Sequence, residues 1–60
     1  MMNPGHTQFA EALVFVHGVR AEAEAAMHAI LCEKSGDTEI AQTWREVQRE
    51  VRNISLQQAA

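Results

Sequence analysis

Apolar residues recur at steps of three and four through the first half of the chain. Phe9, Ala12, Leu13, Val16, Val19, Ala23, Ala26, Met27, Ile30 and Leu31 share one side of a helical projection, the spacing a buried helical stripe requires. Alanine and glutamate fill the gaps, and both favour helix. The pattern predicts a first helix over about 7–33, with Thr7 as its N-cap. Arg20 interrupts the stripe, and its aliphatic stem suits a boundary position. The run EKSGDTE at 33–39 breaks the pattern. Gly36 suits a left-handed residue after a helix, Asp37 or Thr38 caps the next one, and Glu39 falls in a favourable first turn.

A second, narrower stripe follows. Ile40, Trp44, Val47, Val51 and Ile54 are spaced by four, three, four and three, which predicts a second helix over about 38–55 and a frayed tail over 56–60. A turn at 34–37 makes the two helices antiparallel neighbours. The expected hairpin core is Val16, Val19, Ala23, Met27, Ile30 and Leu31 against Ile40, Trp44, Val47, Val51 and Ile54. The expected fold is therefore all-α: one domain over 1–60, an antiparallel two-helix hairpin.

One stretch resists this reading. ALVFVHGV, residues 12–19, is rich in strand formers. No second strand-like run exists to pair with it, and a lone strand leaves backbone groups unsatisfied. The stretch therefore belongs to the first helix, with Gly18 tolerated at about 1 kcal/mol. The string VFVHG resembles the strand-to-glycine segment beside the oxyanion hole of α/β-hydrolases. The GxSxG elbow of that family is absent, and the chain cannot hold its large sheet.

The first helix carries a further stripe of mostly small residues: Val14, Gly18, Ala21, Ala25 and Cys32, with Ala29 beside it. Small side chains let another backbone come close. Length points the same way. At 1.5 Å per residue the first helix is about 39 Å long and the second about 27 Å. Folded back, the second helix runs out near residue 17 and leaves Phe9, Leu13 and Phe15 uncovered. Exposed apolar surface of that kind marks association sites. Phe9, Leu13, Val14, Phe15, Gly18, Ala21 and Ala25 are thus the expected protein interface. The expected assembly is a homodimer, a four-helix bundle in which each copy covers the other's overhang. A larger protein is the alternative partner.

Size and composition fit this picture. A chain of 60 residues has a marginal core, and small folds recruit a disulfide, a metal or a partner. Cys32 is the single cysteine, so no internal disulfide forms, and an unpaired thiol leans toward a reducing, cytoplasmic setting. No signal peptide is expected. The longest apolar run, Ala12 to Val16, is far below the roughly 20 residues of a membrane helix. Five basic residues against eight acidic give a formal charge of −3, which opposes broad phosphate binding.

Candidate chemistry is sparse. Glu24, His28 and Cys32 are spaced by four and are all zinc-ligand types, but no fourth ligand is indicated and no metal or other cofactor is expected. His28 reads instead as a partly exposed residue and Cys32 as a small buried hydrophobe. His17 has no neighbouring nucleophile and reads as a boundary residue; His6 reads as solvent exposed. Glu22 and Glu24 point apart on a helix. There is no phosphate loop and no CxxC pair. Asn53-Ile54-Ser55 matches a glycosylation pattern inside a helix. Arg45, Arg49 and Arg52 form a basic ridge that suits phosphates or the acidic Glu22 and Glu24 side of a neighbouring helix. Glu46 and Glu50 interleave with it, and Glu46 is placed to pair with Arg49. A DNA-reading helix would need a third supporting helix. Trp44 is expected to anchor the hairpin opposite Met27. The expected protein is non-catalytic: an adaptor, regulator or accessory subunit working by protein contact. The alternatives are a nucleic-acid-binding regulator using the arginines, or a small chaperone or subunit of a hetero-complex.

Overall fold

The computed structural model describes residues 4–58 and is all-α. A first arm comprises α1 (Pro4–His17), a 3-10 turn (Gly18–Arg20) and α2 (Ala21–Lys34); a second arm is α3 (Thr38–Gln58). The helix opens at Pro4 rather than Thr7, because proline's fixed φ suits a first helical position. Thr7 lies inside the first turn, and its hydroxyl donates to Glu50 Oε1 at 3.5 Å instead of capping. Asn3, whose side-chain type also suits a cap, lies outside the described residues. At the far end α3 continues through Gln58, so 56–58 extend the helix instead of fraying.

The connection between α2 and α3 follows from Gly36. At φ +86° it occupies the left-handed region that glycine enters freely. Gly36 N–H donates to Glu33 O at 3.2 Å and Asp37 N–H to Cys32 O at 2.9 Å, the paired bonds of a Schellman cap. Ser35 Oγ adds bonds to Leu31 O and Cys32 O. Asp37 then starts α3, its carbonyl accepting from Ala41 N–H at 2.9 Å. α2 and α3 run antiparallel: Glu22 meets Arg52, His28 meets Trp44, and Glu33 meets Arg45.

The first arm is not one straight helix. Gly18 adopts φ +60°, and Ala12–His17 is helical only up to that point. A straight helix over 4–34 would be about 46 Å long, yet the longest dimension of the molecule is 37 Å. Phe9 and His28 would stand about 28 Å apart in such a helix. Both rest on the single ring of Trp44, at centroid distances of 5.4 and 4.4 Å. The arm therefore doubles back at Gly18. α1 runs beside α3 in the same direction, with His6 at Glu46 and Val14 near Ile54. Both α1 and α2 pack on α3, and they touch each other little. The overhang expected from helix lengths is removed for this reason.

That reversal decides which face turns inward. The buried residues are Ala10, Ala21, Ala25, Ala29, Ala41, Val47 and Val51. Leu13, Val14, Trp44 and Ile54 pack partly buried against them. Ala21, Ala25 and Ala29 of the small-residue stripe are thus buried within the single chain, whereas Gly18, expected with them at the interface, is exposed. Alanine lets α2 lie close to Val47 and Val51, and the distance between helix axes depends on such side-chain size. The large residues are left outside. Val16, Val19, Ala23, Met27, Ile30, Leu31 and Ile40, expected in the core, are all exposed. Of the expected overhang, Leu13 is half-buried, Phe9 is partly covered by Trp44, and Phe15 stays 90% exposed; Val14 of the expected interface is half-buried.

The inverted faces are open to direct measurement. Ala25→Leu should destabilise the dilute chain by about 1–3 kcal/mol through overpacking. Ile30→Ala on the outer face should shift stability by less than about 0.5 kcal/mol. Urea unfolding of both variants checks the ranking, and the opposite order would return Ile30 to the core.

Candidate protein-contact surface

The outer face of the first arm is built by helical phase. Once Ala21, Ala25 and Ala29 point at α3, residues 23, 27, 30 and 31 point away from it. Ala23, Met27, Ile30 and Leu31 therefore face outward, and Val19, fully exposed, and Val16, 71% exposed, are further apolar residues left open in the turn and at the end of α1. Lys34 lies exposed at its end. Sequence reasoning identified this stripe but placed it inside.

A charged flank lies on the α2–α3 seam. Arg52 Nε and Nη2 donate to Glu22 Oε2 at 3.1 and 2.8 Å. Gln48 Nε2 reaches the same oxygen at 3.5 Å. Arg45 Nη2 pairs with Glu33 Oε1 at 3.2 Å and its Nη1 donates to Gln48 Oε1 at 3.2 Å. Arg45 and Arg52 thus meet carboxylates of their own chain. Arg49 is exposed and forms no ion pair among the described residues. Arg45, Gln48, Arg49 and Arg52 line a shallow surface depression of about 240 Å³. The hydrogen bond from Arg52 holds the Glu22 carboxyl below its ordinary pKa; partial burial opposes this, and the Gln48 amide and the Arg52 charge add to it.

The third cluster surrounds Trp44. Phe9 meets the indole edge-on, at 75° between planes, and His28 stacks on it at 18°. Met27, the expected neighbour of Trp44, is on the opposite side and 54% exposed. Beside this cluster, His6 is half-buried, not solvent exposed. Its buried Nδ1 lies 3.0 Å from Glu46 Oε2, close enough for an ion pair when protonated but not aligned as a hydrogen bond. Glu46 accordingly serves His6, not Arg49. These contacts join residues far apart in the chain, and no local spacing announces them.

The remaining chemical candidates disperse. Glu24 turns to Arg20 at 3.8 Å, His28 lies on Trp44, and Cys32 is a half-buried free thiol. Among the described residues no three metal-ligand side chains converge. His17 is exposed on the surface before the turn. No helix of the described residues is long and apolar enough to cross a membrane. No protein family matches the chain, and no curated protein or solved structure is similar to it at a significant level.

The Glu22 pairing has a pH signature. A carboxyl with a lowered folded pKa stabilises the fold above its ordinary value of 4.5, and that contribution is lost as pH falls through the lower folded value. Arg52→Ala should move the Glu22 titration midpoint upward and soften the acid limb of the stability curve. Carboxyl carbon NMR titration reads this directly, and an unmoved midpoint would show that the pair does not persist in solution.

Proposed function

We propose that this protein acts without catalysis, by protein contact, as a small cytoplasmic adaptor, regulator or accessory subunit. Its first partner is a second copy of itself. The observation that carries this reading is the outward apolar run of Val16, Val19, Ala23, Met27, Ile30 and Leu31. Val16, Val19, Met27 and Leu31 are each more than half exposed, and exposed apolar surface of this kind marks protein-contact sites. Glu24, which borders the run three residues before Met27, is paired with Arg20 at 3.8 Å. A two-fold pairing buries the same face on both chains. Each copy brings α1, α2 and α3, so such a pair assembles six helices rather than the four of two simple hairpins.

The nucleic-acid reading has less support. Arg45 and Arg52 are engaged by Glu33 and Glu22, which leaves Arg49 as the one member of the ridge without an ion pair among the described residues.

Sedimentation equilibrium at micromolar concentration tests the proposal. The natural chain should run at twice its 6.7 kDa mass. Met27→Glu with Ile30→Glu should return it to a monomer with unchanged helix content. A natural chain that stays monomeric at every concentration, or a dimer indifferent to both charges, would refute this face as the contact.

A further inference from the structure

The reversal at Gly18 is a short turn whose cap bond runs from Ala21 N–H to Gly18 O. Apart from its chain neighbours and its own helix backbone, no atom lies within 4 Å of where a Cβ on Gly18 would stand, so no other part of the chain packs into that position. Gly18–Arg20 buries no residue, and neither His17 nor Arg20 offers a capping side-chain bond. α1 and α2 are each held by α3 and scarcely by one another. α2 is rich in alanine and glutamate, which favour helix, and α1 already holds Val14, Phe15 and Val16 in helical form.

The inward faces of the two halves are also in phase. Ala10, Val14, Gly18, Ala21, Ala25 and Ala29 follow at steps of four, four, three, four and four. If Gly18 took ordinary helical angles, α1 and α2 would merge into one helix with Ala10, Val14, Ala21 and Ala25 still on one side. The α1 half would then extend past its own α3 with its packing face bare.

We propose that Gly18 is a hinge through which two copies of this chain exchange α1. In the exchanged dimer, α1 of each copy lies on α3 of the other. The Phe9–Trp44 and His6–Glu46 contacts re-form between chains, and the two straightened helices run antiparallel about a two-fold axis near Gly18. The exposure pattern selects a second copy as the occupant. Phe15, Val16 and Val19, which flank the hinge, are 90%, 71% and 101% exposed in the single chain, and they are the residues that gain neighbours at that axis. The proposal does not depend on the outer face of α2.

The test uses the full chain carrying Met27→Glu and Ile30→Glu, so that outer-face pairing does not contribute. Gly18→Ala is added because alanine resists the left-handed region. It should lower the dimer dissociation constant at least about tenfold. In a mixed sample of isotope-labelled and unlabelled chains, refolded together, a filtered NOE should connect Phe9 of one chain to Trp44 of the other. A variant that folds and stays monomeric, or dimerises without that NOE, overturns the proposal. If Gly18→Ala does not fold, a synthetic chain with D-alanine at 18, which favours positive φ, replaces it. The Gly18 chain at high concentration should then show the interchain NOE and the D-alanine chain should lose it; equal signals, or none in either, overturn the exchange.

Discussion

A single left-handed residue governs this molecule. With Gly18 at φ +60°, the first arm doubles back and α3 gains two helices as neighbours. Any residue with a Cβ would be disfavoured there by roughly 1–2 kcal/mol, a large fraction of the stability of so short a chain. From the reversal follows the choice of inward face. α3 must be approached by α1 and α2 together, and the surface common to both is the run of small residues. The large aliphatic side chains of α2 are displaced outward as a result.

The core is correspondingly thin. Ala10, Ala21, Ala25, Ala29 and Ala41 supply most of the buried positions, and Val51 is the largest fully buried side chain. Such a core has good close contact and little transfer free energy, since burying a valine is worth about 1.5–3 kcal/mol and an alanine less. Contacts at the margin supplement it: the rings of Phe9 and His28 on Trp44, and the pairs of Glu22 with Arg52 and Glu33 with Arg45. Exposed pairs of that type set register more than they add stability. They fix α2 against α3 in one antiparallel alignment.

Much of this was legible in the sequence, and the limits were physical. The helical character, the turn at Gly36, the start of α3 near Asp37 and the inward placing of Val47 and Val51 all rest on local chemistry or on one clear stripe. Glu22 opposite an α3 arginine was readable as charge complementarity, though it is met within the chain. The first arm was different. It carries apolar residues on two sides, large on one and small on the other, and hydrophobicity alone favours the large side. Only the reversal at Gly18 makes the small side the correct one. A glycine within a helical pattern costs about 1 kcal/mol whether the helix passes through or stops, so its spacing did not announce a break. Without the break, Ala21 and Ala25 read as a surface for another chain and Met27 as the neighbour of Trp44.

The Trp44 ring joins both halves of the first arm to the second. It is the chain's only tryptophan, with Phe9 of α1 on its edge and His28 of α2 on its face. The indole is thereby a built-in optical gauge. Lifting α1 away admits water to one side of the chromophore and shifts its emission to the red, while loosening α2 removes the imidazole stacked on its face.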